Sequence, residues 1–315
     1  MNTNIRNTIY SSLLFLVLWM GLKPVTAFAQ DDFHISPNSL PNTNTLANVT
    51  LPKVPPDSLP MWDVNFVGGL NGNQAAYSNW SQGGVSSMAL TASTLFKANY
   101  YSKWIGYKLL VNLKYGQTRL PGNDIRKTDD IININNQFNY FFTQDHLSLF
   151  GAVDFLSQFD KGYKYNDNAP NVLISNFLAP AYITESTGLA YSPVEFLSVQ
   201  GGFALKQTVV RDTSLSLRYG LQRGRKFRSE GGISTAINVN LEIMKNVSLT
   251  TSFTSFTSFL KPLSSTDFSL NNELTGKINN FMNANLQFAM VYNDDITKAL
   301  QIKQVLSLGF NITIL

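Results

Sequence analysis

The feature that most constrains this chain is an alternation of apolar and polar residues, repeated in about twelve segments between Trp62 and Leu315. In the last segment Leu306, Leu308, Phe310, Ile312 and Ile314 fall on one face of a period-two strand. Ser307, Gly309, Asn311 and Thr313 fall on the other. Helical periodicity is absent. The pattern predicts an all-β fold with strands near residues 62–72, 87–101, 105–117, 130–142, 147–159, 178–191, 196–209, 227–242, 247–260, 268–278, 281–292 and 303–315.

Alternation alone also fits a soluble barrel, which merely buries the opposite face. Charge placement separates the two. The charged fraction is only 14%, and nearly every apolar face lacks Asp, Glu, Lys and Arg. A Lys or Arg there would cost roughly 2–4 kcal/mol at mid-bilayer. The opposite face is polar but dominated by neutral amides, such as Asn133, Asn135, Gln137 and Asn139, then Asn283, Asn285 and Gln287. A water-exposed surface would instead carry about a quarter to a third charged residues. Aromatics gather at one set of strand ends, among them Tyr100, Tyr101, Trp104, Tyr107, Tyr140, Phe142, Tyr191 and Phe196, as interfacial girdles do. The exception is Glu185, in register with Ile183 and Leu189; a bulge or a different register would remove that conflict.

Connection lengths alternate. Short links at 102–103, 143–146, 192–195, 245–246 and 279–280 interleave with longer ones at 73–86, 118–129, 160–177, 210–226, 261–267 and 293–302. With an even strand count, this predicts a transmembrane antiparallel up-and-down β-barrel of about 12 strands, with short periplasmic turns, longer extracellular loops and both termini periplasmic. Residues 1–29 read as a signal peptide: Arg6, the apolar run Leu13 to Trp19, and the small-x-small site Ala27-Phe28-Ala29. Residues 30–60, rich in Pro, Asn, Ser and Thr, read as a flexible periplasmic lead-in, and 61–315 as the barrel. The expected location is the outer membrane. The absence of cysteine rules out disulfides, a thiol nucleophile and thiolate metal ligands. A formal charge of +4 points to no strongly charged partner.

Several local motifs carry a resemblance. Phe177-Leu178-Ala179-Pro180-Ala181-Tyr182, Asn79-Trp80 with Gly83-Gly84, Lys127-Thr128-Asp129-Asp130 and Tyr292-Asn293-Asp294-Asp295-Ile296 resemble a Bacteroidota family known as domain of unknown function 3078, DUF3078. The likeness extends over 62–315. It implies a cell-envelope or outer-membrane barrel and supplies no reaction, ligand, cofactor or catalytic residue.

The residues themselves point to no catalytic constellation and no metal or cofactor site. Of two histidines, His34 lies in the lead-in and His146 in a predicted periplasmic turn, far from where a barrel hydrolase would hold its base. Inward charges Lys97, Lys108, Lys114, Asp154, Lys206, Glu242, Glu273 and Lys277 are candidates for lining the lumen, where they would pair with one another or tune ion selectivity. Asp129-Asp130 reads as strand-end capping rather than a Ca²⁺ site, since Arg126 and Lys127 intervene and no ligand spacing repeats. The loop at 210–226 and its edge hold Arg211, Arg218, Arg223, Arg225, Lys226 and Arg228 against Asp212 alone. Guanidinium groups bind phosphate bidentately, so this cluster is the candidate for contact with lipopolysaccharide or another anion, the alternative being a solvated loop.

Two functions of different class follow. One is a narrow pore or transport barrel for small solutes; the other is a structural or interaction barrel whose basic loop binds glycolipid or a partner protein. A barrel enzyme is a third, weakly supported reading. Outer-membrane lipids and the assembly machinery that inserts barrels are the expected partners, and nucleic acid is not, because no stacking platform accompanies the arginines.

Overall fold

The computed structural model describes residues 61–75, 87–120, 125–142, 146–166 and 169–313. The predicted signal peptide and lead-in, and the final Ile314 of the last alternating segment, lie outside the described residues. The strands are β1 Met61–Ala75, β2 Ser87–Tyr101, β3 Ile105–Arg119, β4 Arg126–Phe141, β5 Leu147–Ser157, β6 Gly162–Lys164, β7 Val172–Ser175, β8 Ala181–Val194, β9 Leu197–Val209, β10 Phe227–Met244, β11 Val247–Ser258, β12 Asp267–Lys277, β13 Met282–Asn293 and β14 Thr297–Thr313.

Twelve of these close into one antiparallel barrel, in the order β1-β14-β13-β12-β11-β10-β9-β8-β5-β4-β3-β2. β1 pairs with β2 along its whole length and with β14 from Val67↔Thr313 to Gly72↔Leu308, which closes the ring. The barrel strands run from 11 to 18 residues, at least the 9–11 that a tilted strand needs to cross a bilayer.

The inside and outside are chemically inverted relative to a soluble domain. On β4, Asn133, Asn135, Gln137 and Asn139 are buried while Phe138 and Tyr140 are exposed. Around the outer surface the exposed set includes Phe203 at 67%, Leu306 at 69% and Ile312 at 67%. Phe and Leu side chains left this bare are stable in contact with hydrocarbon and costly in water. Outward aromatics cluster at both rims. Trp62 packs against Tyr100 and Tyr107, and Tyr140 against Phe142, at the short-turn end; Phe268 stacks on Tyr292 at the other. Tyr101, expected in the girdle, is buried, on the same inward face of β2 as Lys97 and Asn99.

Several boundaries depart from the sequence-based expectation, among them that of β4, which begins at Arg126 rather than 130. β14 begins at Thr297, so the connection expected over 293–302 is a tight turn closed by Asn293↔Thr297. Leu300 and Ile302 continue the outward apolar face, but the outward Gln304 interrupts the alternation and Lys298 ends it, so the apolar run read from Leu306 does not reach back to the strand's start. The connection at 160–177 carries a hairpin of its own, β6 paired with β7. β8 starts at Ala181 rather than 178, because Leu178, at φ 53°, turns the chain out of the extended conformation. Glu185 does face outward with no bulge near it: it pairs in register with Val153 and Leu205 and accepts a hydrogen bond from Gln207 at 3.4 Å.

Close strand packing sets one glycine requirement. Gly188 and Gly202 face each other across β8 and β9, and a Cβ on Gly202 would lie 2.1 Å from the Thr187 carbonyl oxygen and 2.6 Å from the Gly188 Cα. Backbone cannot yield as a side chain does. Gly202→Ala is expected to destabilise the barrel by about 1–3 kcal/mol, whereas Gly151→Ala, with nothing within 4 Å, should be near neutral. Urea unfolding of the two variants in lipid checks this.

Candidate functional site

The lumen divides into two unequal halves. Along β5, β8 and β9 it is filled: Phe150, Leu156 and Tyr182 are buried, and Gly232 lacks the Cβ that would sit 2.8 Å from the Phe256 ring. Lys206 crosses this half. Its Nζ lies 2.6 Å from the Asp267 carboxylate of β12 and 5.4 Å from the centroids of both Tyr182 and Phe256. Between β9 and β12 two strands intervene, so this pair is a strut across the interior rather than a neighbour contact.

The other half stays open. Inward positions of β1–β4 and β12–β14 line a cavity of about 320 Å³. Amides dominate its wall, including Asn112, Asn133, Asn271, Asn283, Asn285 and Gln287. Space is kept at the β1–β14 seam by Gly309, where a Cβ would meet the Asn71 and Asn283 side-chain oxygens at 2.2 and 2.3 Å. A second strut spans this half: Lys303 Nζ on β14 lies 2.5 Å from Asp129 Oδ1 on β4, with Thr91 also donating to Asp129. Three strands separate β14 from β4 around the ring.

The predicted lumen charges therefore separate into groups. Lys97, Lys114 and Glu273 line the cavity. Lys108 on β3 and Asp154 on β5 are both buried, with β4 between them, and Asp154 accepts a hydrogen bond from Asn135 of β4 at 2.7 Å. Lys206 belongs to the filled half. Glu242 and Lys277 are exposed at the short-turn ends of β10 and β12. Among the described residues none of these eight forms an ion pair with another of the eight; Lys206 takes Asp267 instead. Strand-by-strand reading missed Asp267, Asp129 and Lys303 because a pairing across a closed ring depends on which strands face each other, not on local sequence.

Of the Asp pair expected to cap a strand end, only Asp130 does capping work; Asp129 lies inside β4 and belongs to the Lys303 strut. Asp130 accepts from the Phe159 and Asp160 amides at 2.7 and 2.9 Å and from Lys127 Nζ at 2.7 Å, fastening the β5–β6 connection to β4. His146 occupies a turn with φ 66°. It, Asp154, Glu242 and Glu273 stand in separate parts of the barrel and assemble no shared site.

The basic loop is folded. Thr213–Tyr219 forms a 3₁₀ helix that Asp212 caps through Ser214, and Gly220 terminates it at φ 71°. Hydrogen bonds from the Ser214 hydroxyl and amide hold the exposed Asp212 carboxyl below its ordinary range. Ala179, Val210, Leu215, Tyr219 and Leu221 form a small core beneath it. Tyr219 donates to the Ile174 carbonyl at 2.6 Å, and burial pushes its phenol up to about 12, so it stays a donor. The Phe177–Tyr182 motif forms the corner that carries this core, with the Arg211 amide bonded to the Leu178 carbonyl at 2.8 Å.

The six basic residues are not equivalent. Arg223, Arg225 and Lys226 are exposed, Arg211 is exposed with its guanidinium 5.9 Å from the Phe177 ring, and Arg218 is half-buried beside Tyr219. Arg228 is consumed by structure. It pairs with Glu230 at 2.8 Å and with Asp295, and donates to the Gly220 carbonyl at 2.7 Å; Lys261 reaches Asp295 at 2.6 Å and Glu230 at 3.3 Å. Arg228 thus belongs to a four-membered clasp joining β10, the 259–266 loop and the β13–β14 turn. Asp295, which local sequence marks only as a turn residue, is its centre.

Comparison with known proteins finds a family model that matches part of the chain. Residues 72–163 match the family model described as "Protein of unknown function (DUF3078)". The resemblance carried by the motifs is supported over that stretch. Among curated proteins, no sequence matches the chain. Solved structures similar to it include the translocator domain of the autotransporter NalP from Neisseria meningitidis, at 8% identity, covering 81% of this chain and 89% of that one, with a TM-score of 0.39. An outer membrane channel from Pseudomonas putida F1 is similar at 11% identity over 82% of this chain and 98% of that one, TM-score 0.39. The CymD monoaromatic hydrocarbon channel is similar at 10% identity over 79% and 87%, TM-score 0.33.

The clasp gives a pH prediction. Burial disfavours the ionised form of Asp295, but hydrogen bonds from Arg228 and Lys261 outweigh it and hold the carboxyl below its ordinary range. A depressed folded pKa contributes stability that is complete above the unfolded value, about 3.9, and is lost as pH falls through the folded one. Acidification through that window, or Asp295→Asn at pH 7, should lower exchange protection of residues 259–266 and 294–296 by about tenfold to a hundredfold, from about 1.5–3 kcal/mol per charge-assisted hydrogen bond. Hydrogen exchange corrected for intrinsic rates checks both arms.

Proposed function

We propose that the protein is an outer-membrane barrel that provides a narrow path for small polar solutes. The supporting observation is the half-open lumen: a cavity of about 320 Å³ walled by amides inside a closed barrel whose outer face is apolar. Neutral amides solvate a passing solute without binding it tightly, which lets it leave as well as enter. The filled half and the Asp129–Lys303 strut keep the path narrow.

In planar bilayers the folded protein should give discrete conductance steps. Asn285→Trp, which places a bulky ring on the cavity wall, should reduce the step severalfold. A bilayer that stays sealed at high protein load overturns the reading.

A second reading rests on the basic loop, taken as extracellular. Its own small core holds Arg211, Arg223, Arg225 and Lys226 outward on an ordered platform, which suits phosphate groups of a surface glycolipid. Replacing Arg223, Arg225 and Lys226 with Ala should leave folding intact and reduce binding to lipopolysaccharide-containing vesicles at least tenfold. Unchanged binding removes this reading.

A further inference from the structure

The cavity's charges have a polarity that the transport reading leaves unused. Five charged residues line it: Lys97, Lys114, Lys303, Asp129 and Glu273. The strut neutralises Lys303 with Asp129. Among the described residues, Lys97, Lys114 and Glu273 make no ion pair or hydrogen bond. Lys97 feels the charges of Asp63 and Lys108, and Lys114 that of Asp129, yet neither carboxylate is within 4 Å of its lysine.

The two ammonium groups belong to β2 and β3, and the carboxylate to β12. In the closed order β12 lies four strands from β2 and five from β3, so the opposite charges stand on nearly facing walls. Polar atoms of the same wall are unspent: Asn71 Oδ1, Asn133 Oδ1 and Gln301 Nε2 are buried without a hydrogen-bond partner. A plain anion would meet the Glu273 carboxylate, and a plain cation two lysines. A solute carrying both charges at its two ends satisfies both walls, and the enclosed setting strengthens each interaction relative to water.

We propose that the cavity is a binding site for small zwitterions of the ω-amino acid class, whose charges lie at opposite ends, with the solute carboxylate toward Lys97 and Lys114 and its ammonium toward Glu273. The site rests on the transport reading in one respect, that solute enters the lumen.

The test uses ligands that differ only in charge. Saturation-transfer NMR on the full chain in lipid nanodiscs compares γ-aminobutyrate, N-acetyl-γ-aminobutyrate, which keeps only the carboxylate, and γ-aminobutyramide, which keeps only the ammonium. γ-Aminobutyrate should bind at least tenfold more tightly than either. Glu273→Gln should bring γ-aminobutyrate down to the level of the N-acetyl compound, and Lys97→Gln with Lys114→Gln should bring it down to that of the amide. The N-acetyl compound or the amide binding as well as γ-aminobutyrate overturns the proposal, as does no binding of γ-aminobutyrate. The three-ligand comparison on the parent protein decides the matter even if a variant fails to fold. Since binding is read without ion flow, a sealed bilayer would overturn transport and leave this site standing. Conductance without selective binding would overturn this site alone.

Discussion

Every backbone N–H and C=O that passes through hydrocarbon must find its partner within the protein, and that requirement organises the whole molecule. β1 meets it by pairing with β2 on one side and β14 on the other, residues more than two hundred positions apart. Once the ring is closed there is no edge, each strand is committed to one register, and the period-two alternation fixes which side chains face lipid and which face the interior. The apolar belt and the amide-rich lumen are two consequences of one closure.

The interior is where the chain departs from a simple tube. Large residues of β5, β8 and β11 fill one half, and small or amide residues of β1–β4 and β12–β14 leave the other open. Two ion pairs, Lys206–Asp267 and Asp129–Lys303, join strands that are not neighbours. The first is largely buried and gains little net energy over a hydrophobic packing of similar volume; the second is partly exposed and gains little because water screens it. Their geometric effect is clearer, since each spans the lumen and sets how much of it remains. At the long-loop end the same logic recurs on a smaller scale. The Arg228–Glu230–Asp295–Lys261 clasp and the Tyr219 core order loops that would otherwise have little apolar surface to bury.

Much of the barrel was legible in the sequence because its strands obey a local rule. All twelve barrel strands follow from periodicity and from charge excluded from one face, and so does the alternation of short and long connections except at the β13–β14 turn. The errors fell where the rule stops applying. At Thr297–Ile302 the outward Gln304 breaks the alternation that Leu300 and Ile302 would otherwise continue. At 162–175 the hairpin is too short to show a period. Glu185 was recognised as a conflict, and it remains one: the register is continuous and the carboxylate does point outward beside Gln207. The functional charges were harder. Lys97, Lys114 and Glu273 could be placed inside from parity, but the partners of Lys206, Arg228 and Asp129 could not.

By itself, then, the sequence determined the class of fold, the strand count and the side of the wall on which nearly every residue stands, since each of these depends on neighbours two positions apart. Only the tertiary structure decided which half of the lumen is filled, which charges are spent on struts and clasps, and which stay free to face a solute. Those outcomes depend on distances across a closed ring, and no interval along the chain encodes them.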